Sequence, residues 1–326
     1  MEIDIAEFYE KCRLCPRNCL INRTNGIKKN GHPGFCGETD QLKVSYVGPH
    51  FGEEPPITGK MGSGAVFFTG CSLRCSYCQN YQISHQRLGT NIKIEELISK
   101  LEYMINVQHV HNINFVTPDH FFPHVFCLVA LLRKLGHDLP VVYNLSGYQS
   151  VEMIKIAERY SDIYLPDFKY SDASLAGELS GCTDYPQIAL DAICEMVRQK
   201  GFLDFFPNGT GLAEKGVLVR HMILPGKIEN SINALTSLFL EFGKELPLSL
   251  MSQYHPVFPL KRNQGNLQKD PNMNRFITKE EFDKVYSHAN DLGFIHLYVQ
   301  FPDKNRTDQP ANPLFLPDFR QPDPFS

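Results

Sequence analysis

Gly70-Cys71-Ser72-Leu73-Arg74-Cys75-Ser76-Tyr77-Cys78-Gln79 follows the apolar run Ala65-Val66-Phe67-Phe68, and the junction of the two stretches decides the fold. An uninterrupted apolar run bounded by turn residues predicts a buried strand. Three thiols then sit on a loop at a strand's carboxyl end, where α/β barrels place their chemistry. The spacing is C-x3-C-x2-C, and the next cysteine, Cys127, lies far down the chain. Cubane iron–sulfur clusters ordinarily take four cysteines. A set of three, Cys71, Cys75 and Cys78, would leave one iron open to another ligand. The alternatives are a zinc site, which when structural usually has four ligands, or three unrelated buried thiols.

Composition narrows the class. The 326 residues suffice for a large core, and α/β barrels run long. Lys and Arg number 32 against 36 Asp and Glu, a net charge of −4, so nothing drives the chain generally toward nucleic acid or an anionic membrane. No apolar run approaches the roughly 18 residues of a transmembrane helix. The acidic start Met1-Glu2-Ile3-Asp4 lacks the apolar core of a secretory signal and the basic character of a transit peptide. Ten cysteines in that context argue for metal or redox use in a reducing compartment, and so for a cytoplasmic protein.

A second cysteine group precedes the first. Cys12-Arg13-Leu14-Cys15-Pro16-Arg17-Asn18-Cys19 and Gly34-Phe35-Cys36-Gly37 place four thiols within 25 residues. With little apolar sequence between them, metal binding would supply much of the folding energy. Residues 1–40 therefore read as a small metal knuckle built on Cys12, Cys15, Cys19 and Cys36. Zinc and a second iron–sulfur cluster both accept four thiolates, and the spacing leaves both open. A pair of disulfides is the other reading, against which the compartment argues.

Residues 41–300 carry a repeating pattern. After the cysteine loop, apolar runs that end in turn residues alternate with stretches of helical spacing. Strands are expected at Ile113–Thr117, Val141–Asn144, Ile163–Leu165, Gly216–Ile223, Leu248–Met251 and Ile295–Gln300. Helices are expected at Ile94–Val107, Phe126–Leu135, Ser150–Tyr160, Asp184–Gln199, Ser231–Phe242 and Thr278–Leu292, the last opening on a Thr278/Glu281 capping box. Lys43–Val47 alternates like a strand, and the turn-rich stretch around Glu53-Glu54-Pro55-Pro56-Ile57 is expected to stay extended. Such βα alternation implies a parallel sheet with right-handed crossovers. The fold expected is α/β, an open, partial (β/α)6 TIM-like barrel. The polar segment Lys261–Pro271 reads as a solvated loop or a lid, and residues 301–326 as an extended tail.

Parallel strands share one rim at their carboxyl ends. That rim would gather the cysteine loop, Thr117-Pro118-Asp119-His120, Asn144-Leu145-Ser146, Asp167-Phe168-Lys169, Arg220-His221 and Gln253-Tyr254-His255. Any one of these could be a turn or a cap, as Asn144 and Ser146 could be for the helix near Ser150. Polar residues at every strand end together point to a site.

The pattern C-x3-C-x-aromatic-C, with Tyr77 as the aromatic, resembles the signature of the radical S-adenosylmethionine (SAM) enzymes. The stretch Cys-x-x-Cys-Pro-Arg-Asn-Cys-x-x-Asn-Arg, followed by Gly-Phe-Cys-Gly, is similar to a subgroup related to pyruvate formate-lyase activating enzymes that carries the knuckle before the barrel. The resemblance implies a [4Fe–4S] cluster on Cys71, Cys75 and Cys78 whose open iron chelates SAM. It also implies reductive cleavage of SAM to a 5′-deoxyadenosyl radical that abstracts hydrogen. By the same resemblance the segment at Thr117-Pro118 pairs with the methionine part of SAM through its backbone, and Asn144-Leu145-Ser146-Gly147 lies near SAM. Asp167-x-Lys169 brings a lysine to the methionine carboxylate. His221 belongs to a strand ending near the adenosine, and His255 approaches SAM. An acidic-Pro-Pro-Ile segment also precedes the cluster strand in related members, which makes Glu53-Glu54 a candidate for the substrate mouth.

The function expected is that of an activator of glycyl radical enzymes, abstracting hydrogen from a glycine in a partner protein. A flavodoxin or ferredoxin would donate the electron. A radical SAM enzyme acting on a small molecule or on another protein is the first alternative, and a non-catalytic iron–sulfur or zinc module the second.

Overall fold

The computed structural model describes residues 4–24, 34–204, 211–257, 270–302 and 316–326. The expected loop at Lys261–Pro271 lies largely outside them.

Strand β1 (Lys43–His50) runs antiparallel to β2 (Ser63–Phe68), the apolar strand ahead of the cysteine loop, and to the short β3 (Thr90–Asn91). From β2 the pairing is parallel through β4 (Ile113–Val116), β5 (Val141–Leu145), β6 (Ile163–Pro166) and β7 (Gly216–Val217). The run expected as one strand at Gly216–Ile223 is divided. Its first residues stay with β6, while β8 (Val219–Met222) opens a second parallel sheet with β9 (Leu248–Met251) and β10 (Leu297–Val299). The sheets are joined where Asp167 bridges Arg220 and Phe168 N donates to the Arg220 carbonyl at 2.8 Å. Among the described residues no pairing links β10 back to β2, so the α/β barrel is open on that side.

The helices in chain order are α1 (Ile5–Glu10), α2 (Pro55–Thr58), α3 (Tyr81–Ser84), α4 (Ile94–Asn106), α5 (Phe122–Lys134), α6 (Val151–Ala157), α7 (Ala173–Ser180), α8 (Tyr185–Lys200), α9 (Ile228–Phe242) and α10 (Lys279–Leu292). Ser150 caps α6 by accepting from Met153 N, so that role does not fall to Asn144 or Ser146. The capping box of α10 forms as the spacing requires. The turn-rich stretch after β1 is not extended throughout, because Pro55 and Pro56 open the single turn α2.

Side-chain parity along the strands separates two cores. Val66, Phe68, Phe115, Tyr143 and Tyr164 face the helices in the main core. Ala65, Phe67 and Val116 face the other way, into the lumen. At the lumen's lower end Ile57 of α2 packs on Val142, Leu165 and Leu218. Asn112 Nδ2 donates to the Ile57 carbonyl at 2.7 Å, and Ala213 N to that of Pro56 at 3.0 Å. α2 therefore floors the lumen.

The cysteine-rich N-terminal stretch is fastened to the loop at the barrel rim. Arg17 donates to the carbonyls of Ser72 (3.0 Å), Leu73 (3.5 Å), Ser180 (2.7 Å) and Gly181 (2.6 Å). Its guanidinium lies 3.7 Å over the Phe35 ring. The last two carbonyls end α7, where a cation is favoured. Arg23 is 2% exposed and donates to the carbonyls of His120 and Thr39 and to Cys12 Sγ.

Candidate active site

A cavity of about 420 Å3 opens at the carboxyl ends of the parallel strands. Cys71, Cys75 and Cys78 all line it, on the loop that leaves β2. Leu73 N and Arg74 N both donate to Cys71 Sγ at 3.4 Å, and Ser84 Oγ of α3 donates to Cys78 Sγ at 3.3 Å. The loop takes its shape from what grips it below. Asp119, fully buried, accepts from Ser72 Oγ, and His120 Nε2 reaches the Thr69 carbonyl at 2.6 Å. Asp119 and His120 thus brace the cysteine loop instead of facing the cavity.

Opposite the cysteines lies a charged lattice. Lys169 Nζ is 2.5 Å from Asp167 Oδ2, and Arg220 reaches the other oxygen of Asp167 at 2.9–3.0 Å. Arg220 also bonds Glu53 Oε2 at 3.1 Å and Asn144 Oδ1 at 2.6 Å. Asn144 Nδ2 returns to Glu53 Oε1 at 2.9 Å, and Asn114 Nδ2 reaches the same oxygen at 3.0 Å. Burial opposes ionisation of Asp167, but Arg220 and Lys169 outweigh it and hold the carboxyl below its usual range. Burial likewise opposes the Lys169 charge, and Asp167 restores it. Glu54 lines the cavity next to Glu53; burial raises its carboxyl, with Arg220 acting against that rise.

The residues expected at the rim divide. Tyr77, Thr117, Asn144, Ser146, Asp167, Lys169 and His255 line the cavity with the cysteines. Thr117 does so at φ +55°, an unusual conformation for a β-branched residue, with its N–H on the Asn144 carbonyl at 2.9 Å. Pro118 is not among the lining residues; it begins the turn that carries Asp119. His221 is displaced by one position. Its ring is fully buried on the other face of β8, between the Phe168 carbonyl (2.6 Å) and Ser231 Oγ (2.9 Å). Arg220 and Met222 take the cavity face. Strand alternation was the available signal for preferring Arg220. Glu53 and Glu54 reach the cavity from its floor, carried by the chain leading into α2.

The donor set fits a cubane cluster with SAM. Three thiols from one short loop face one cavity, and two backbone N–H groups and a hydroxyl already point at their sulfurs. Burial pushes the Cys78 thiol up to about 11 and that of Cys71 higher still, and a cationic centre among them would favour the thiolates. Among the described residues no three His, Cys, Asp or Glu side chains converge closely enough for a single ion. In the N-terminal group, Phe35 N donates to Cys19 Sγ at 3.5 Å and Arg23 to Cys12 Sγ at 3.7 Å. Cys12 and Cys36 are buried.

Residues 65–232, just over half the chain, match the model of the Radical SAM superfamily. An uncharacterized protein of Methanocaldococcus jannaschii is 25% identical over 311 residues, covering 91% of this chain and 80% of that relative. A second uncharacterized protein of the same organism is 24% identical over 285 residues, covering 78% and 75%. Among solved structures, Streptococcus suis SuiB bound to S-adenosylmethionine aligns with 72% of this chain and 48% of its own, at 12% identity and a TM-score of 0.46. HydG, a maturase of the [FeFe]-hydrogenase, aligns over 72% and 50%, at 13% identity and a TM-score of 0.45. The chain spans about half the length of those two structures.

Proposed function

The chain belongs to the radical SAM superfamily and is an enzyme of that kind, and from that premise we propose that it activates a partner protein by abstracting hydrogen from a glycine Cα. One observation carries the SAM chemistry: Cys71, Cys75 and Cys78 share a cavity with the Asp167–Lys169 pair. When bound, a reduced [4Fe–4S] cluster on the three cysteines and SAM would supply a 5′-deoxyadenosyl radical. The chain's own residues bind and shield. Lys169 presents a fixed ammonium to the methionine carboxylate, its charge kept by Asp167. Arg220 holds Asp167, Glu53 and Asn144 in one network, so the wall keeps its shape when the ligand enters. Aromatic rings flank the loop: Tyr77 lies 6.1 Å from Tyr254 and 6.4 Å from Tyr170, which places apolar surface beside the cysteines.

What supports a glycyl target is the Cys-Pro-Arg-Asn-Cys stretch and its fastening to the cluster loop through Arg17. We further propose that Cys12, Cys15, Cys19 and Cys36 bind a second iron–sulfur cluster, the zinc alternative requiring side chains that converge on one ion, and that a flavodoxin or ferredoxin in the cytoplasm supplies the electron. A small polar substrate is the second reading; the polar floor formed by Glu53, Glu54 and Arg220 favours it.

The test is transfer of deuterium. A partner carrying dideuterated glycine at its activation loop should pass deuterium into 5′-deoxyadenosine during anaerobic turnover. Deuterium-free 5′-deoxyadenosine from such a partner removes the glycyl reading and leaves the superfamily chemistry standing.

A further inference from the structure

Beside the cysteine loop the lumen face of β1 and β2 presents Tyr46, His50 and Phe67, and the segment Leu316–Ser326 lies on it. The Phe325 ring sits 4.3 Å from His50, 5.3 Å from Tyr46 and 5.3 Å from Phe67. Phe319 lies 5.5 Å from Phe67. Gln82 of α3 clamps the segment: Phe319 N donates to Gln82 Oε1 at 2.6 Å, and Gln82 Nε2 donates to Asp318 Oδ1 at 3.1 Å. Among the described residues the segment has no helix or strand of its own; it is held by these rings, this amide and its own turns. Residues 316–326 therefore run through turns and are not simply extended, while residues 303–315 of the expected extended tail lie outside the described residues.

Three features of this packed surface suit it to recognition as well. A side-chain amide reads the main chain of the incoming stretch, as peptide-binding sites do. Two rings enter one aromatic bed, each brought by a prolyl stretch, Pro317-Asp318-Phe319 and Pro322-Asp323-Pro324-Phe325, whose stiffness lowers the entropy lost on docking. The bed is also continuous with the active cavity, because His50, Phe67 and Phe325 line it together with the three cysteines. α3, which carries the clamp, starts within three residues of Cys78.

We propose that the bed of Tyr46, His50 and Phe67 under Gln82 is a peptide-docking groove, occupied at rest by the chain's own segment 316–326, whose competing occupant is an extended, aromatic-bearing stretch of the protein substrate. The inference rests on the reading of the target as a protein. The incoming stretch displaces Phe325, takes over the Gln82 hydrogen bonds and opens the side of the lumen next to the cluster loop. The groove then supplies affinity while the neighbouring residue of the target enters the cavity.

The probe is a labelled peptide with the sequence of residues 316–326, measured by fluorescence anisotropy against the chain of 326 residues. The Phe319→Ala/Phe325→Ala variant, whose own segment has lost its anchors, should bind the peptide at least tenfold more tightly than the unaltered chain. A peptide lacking both phenylalanines should not bind. Asp318→Ala/Phe325→Ala, which loosens one ring and one clamp contact, should fall between, and it replaces the first variant if that one does not fold. Equal binding by the unaltered and loosened chains, or none by folded loosened chains, overturns the groove. Reductive SAM cleavage assayed on the same samples reports separately on the enzyme, so either idea can fail alone.

Discussion

Lys169 sits at the carboxyl end of β6 with its ammonium on Asp167, and it is less encumbered than Arg220, which is engaged by Glu53, Asp167 and Asn144. Lys169→Ala removes a charge-assisted contact worth about 1.5–3 kcal/mol, roughly ten- to hundredfold in affinity. SAM binding to the reconstituted protein, measured by equilibrium dialysis, should weaken by that factor while iron content is retained. His221 gives a second prediction. Burial lowers its pKa to about 4 from the usual 6.5. The imidazole is neutral when folded, so the unfolded chain binds the extra proton first. Its contribution is complete above about pH 6.5 and is lost as pH falls toward 4, up to about 3 kcal/mol. Urea midpoints should fall across that window, and His221→Asn should flatten the fall.

At the scale of elements, the legible parts were those set by local pattern. The strand before the cysteines, the βα alternation and the α10 capping box all follow from spacing within a few residues. What escaped depends on parity and register. The Gly216–Ile223 run read as one strand, yet it divides between two sheets, and the residue following its bridge to Asp167 faces the core. Resemblance brought His221 forward, where alternation would have chosen Arg220. Gly147 shows how tightly two strand ends approach. It lies at φ +84°, and a Cβ there would fall 2.1 Å from the Asp167 carbonyl oxygen. Gly147→Ala should part the ends of β5 and β6, cost at least about 2 kcal/mol and displace Lys169. A lowered urea midpoint together with weakened SAM binding is the expected result.

At the scale of the molecule, long-range contacts complete the site, and no sequence window contains them. Phe67 meets Phe319 and Phe325 across the chain, and Arg17 reaches the end of α7. The cysteine-rich start is thereby tied to both sides of the cavity, the cluster loop and the helix after Lys169. Arg17→Ala should cost about 1–3 kcal/mol and lower the iron retained on gel filtration, whereas Arg17→Lys recovers only part of it because one ammonium cannot span four carbonyls. Everything ascribed to the cavity depends on Cys71, Cys75 and Cys78 acting together on SAM. The most direct measurement is 5′-deoxyadenosine released from SAM by the anaerobically reconstituted, reduced protein, set against Cys75→Ala. Release by the unaltered chain and none above background from the variant is the expected result; equal amounts from both, or none from either, would overturn the cluster-and-SAM assignment of these cysteines.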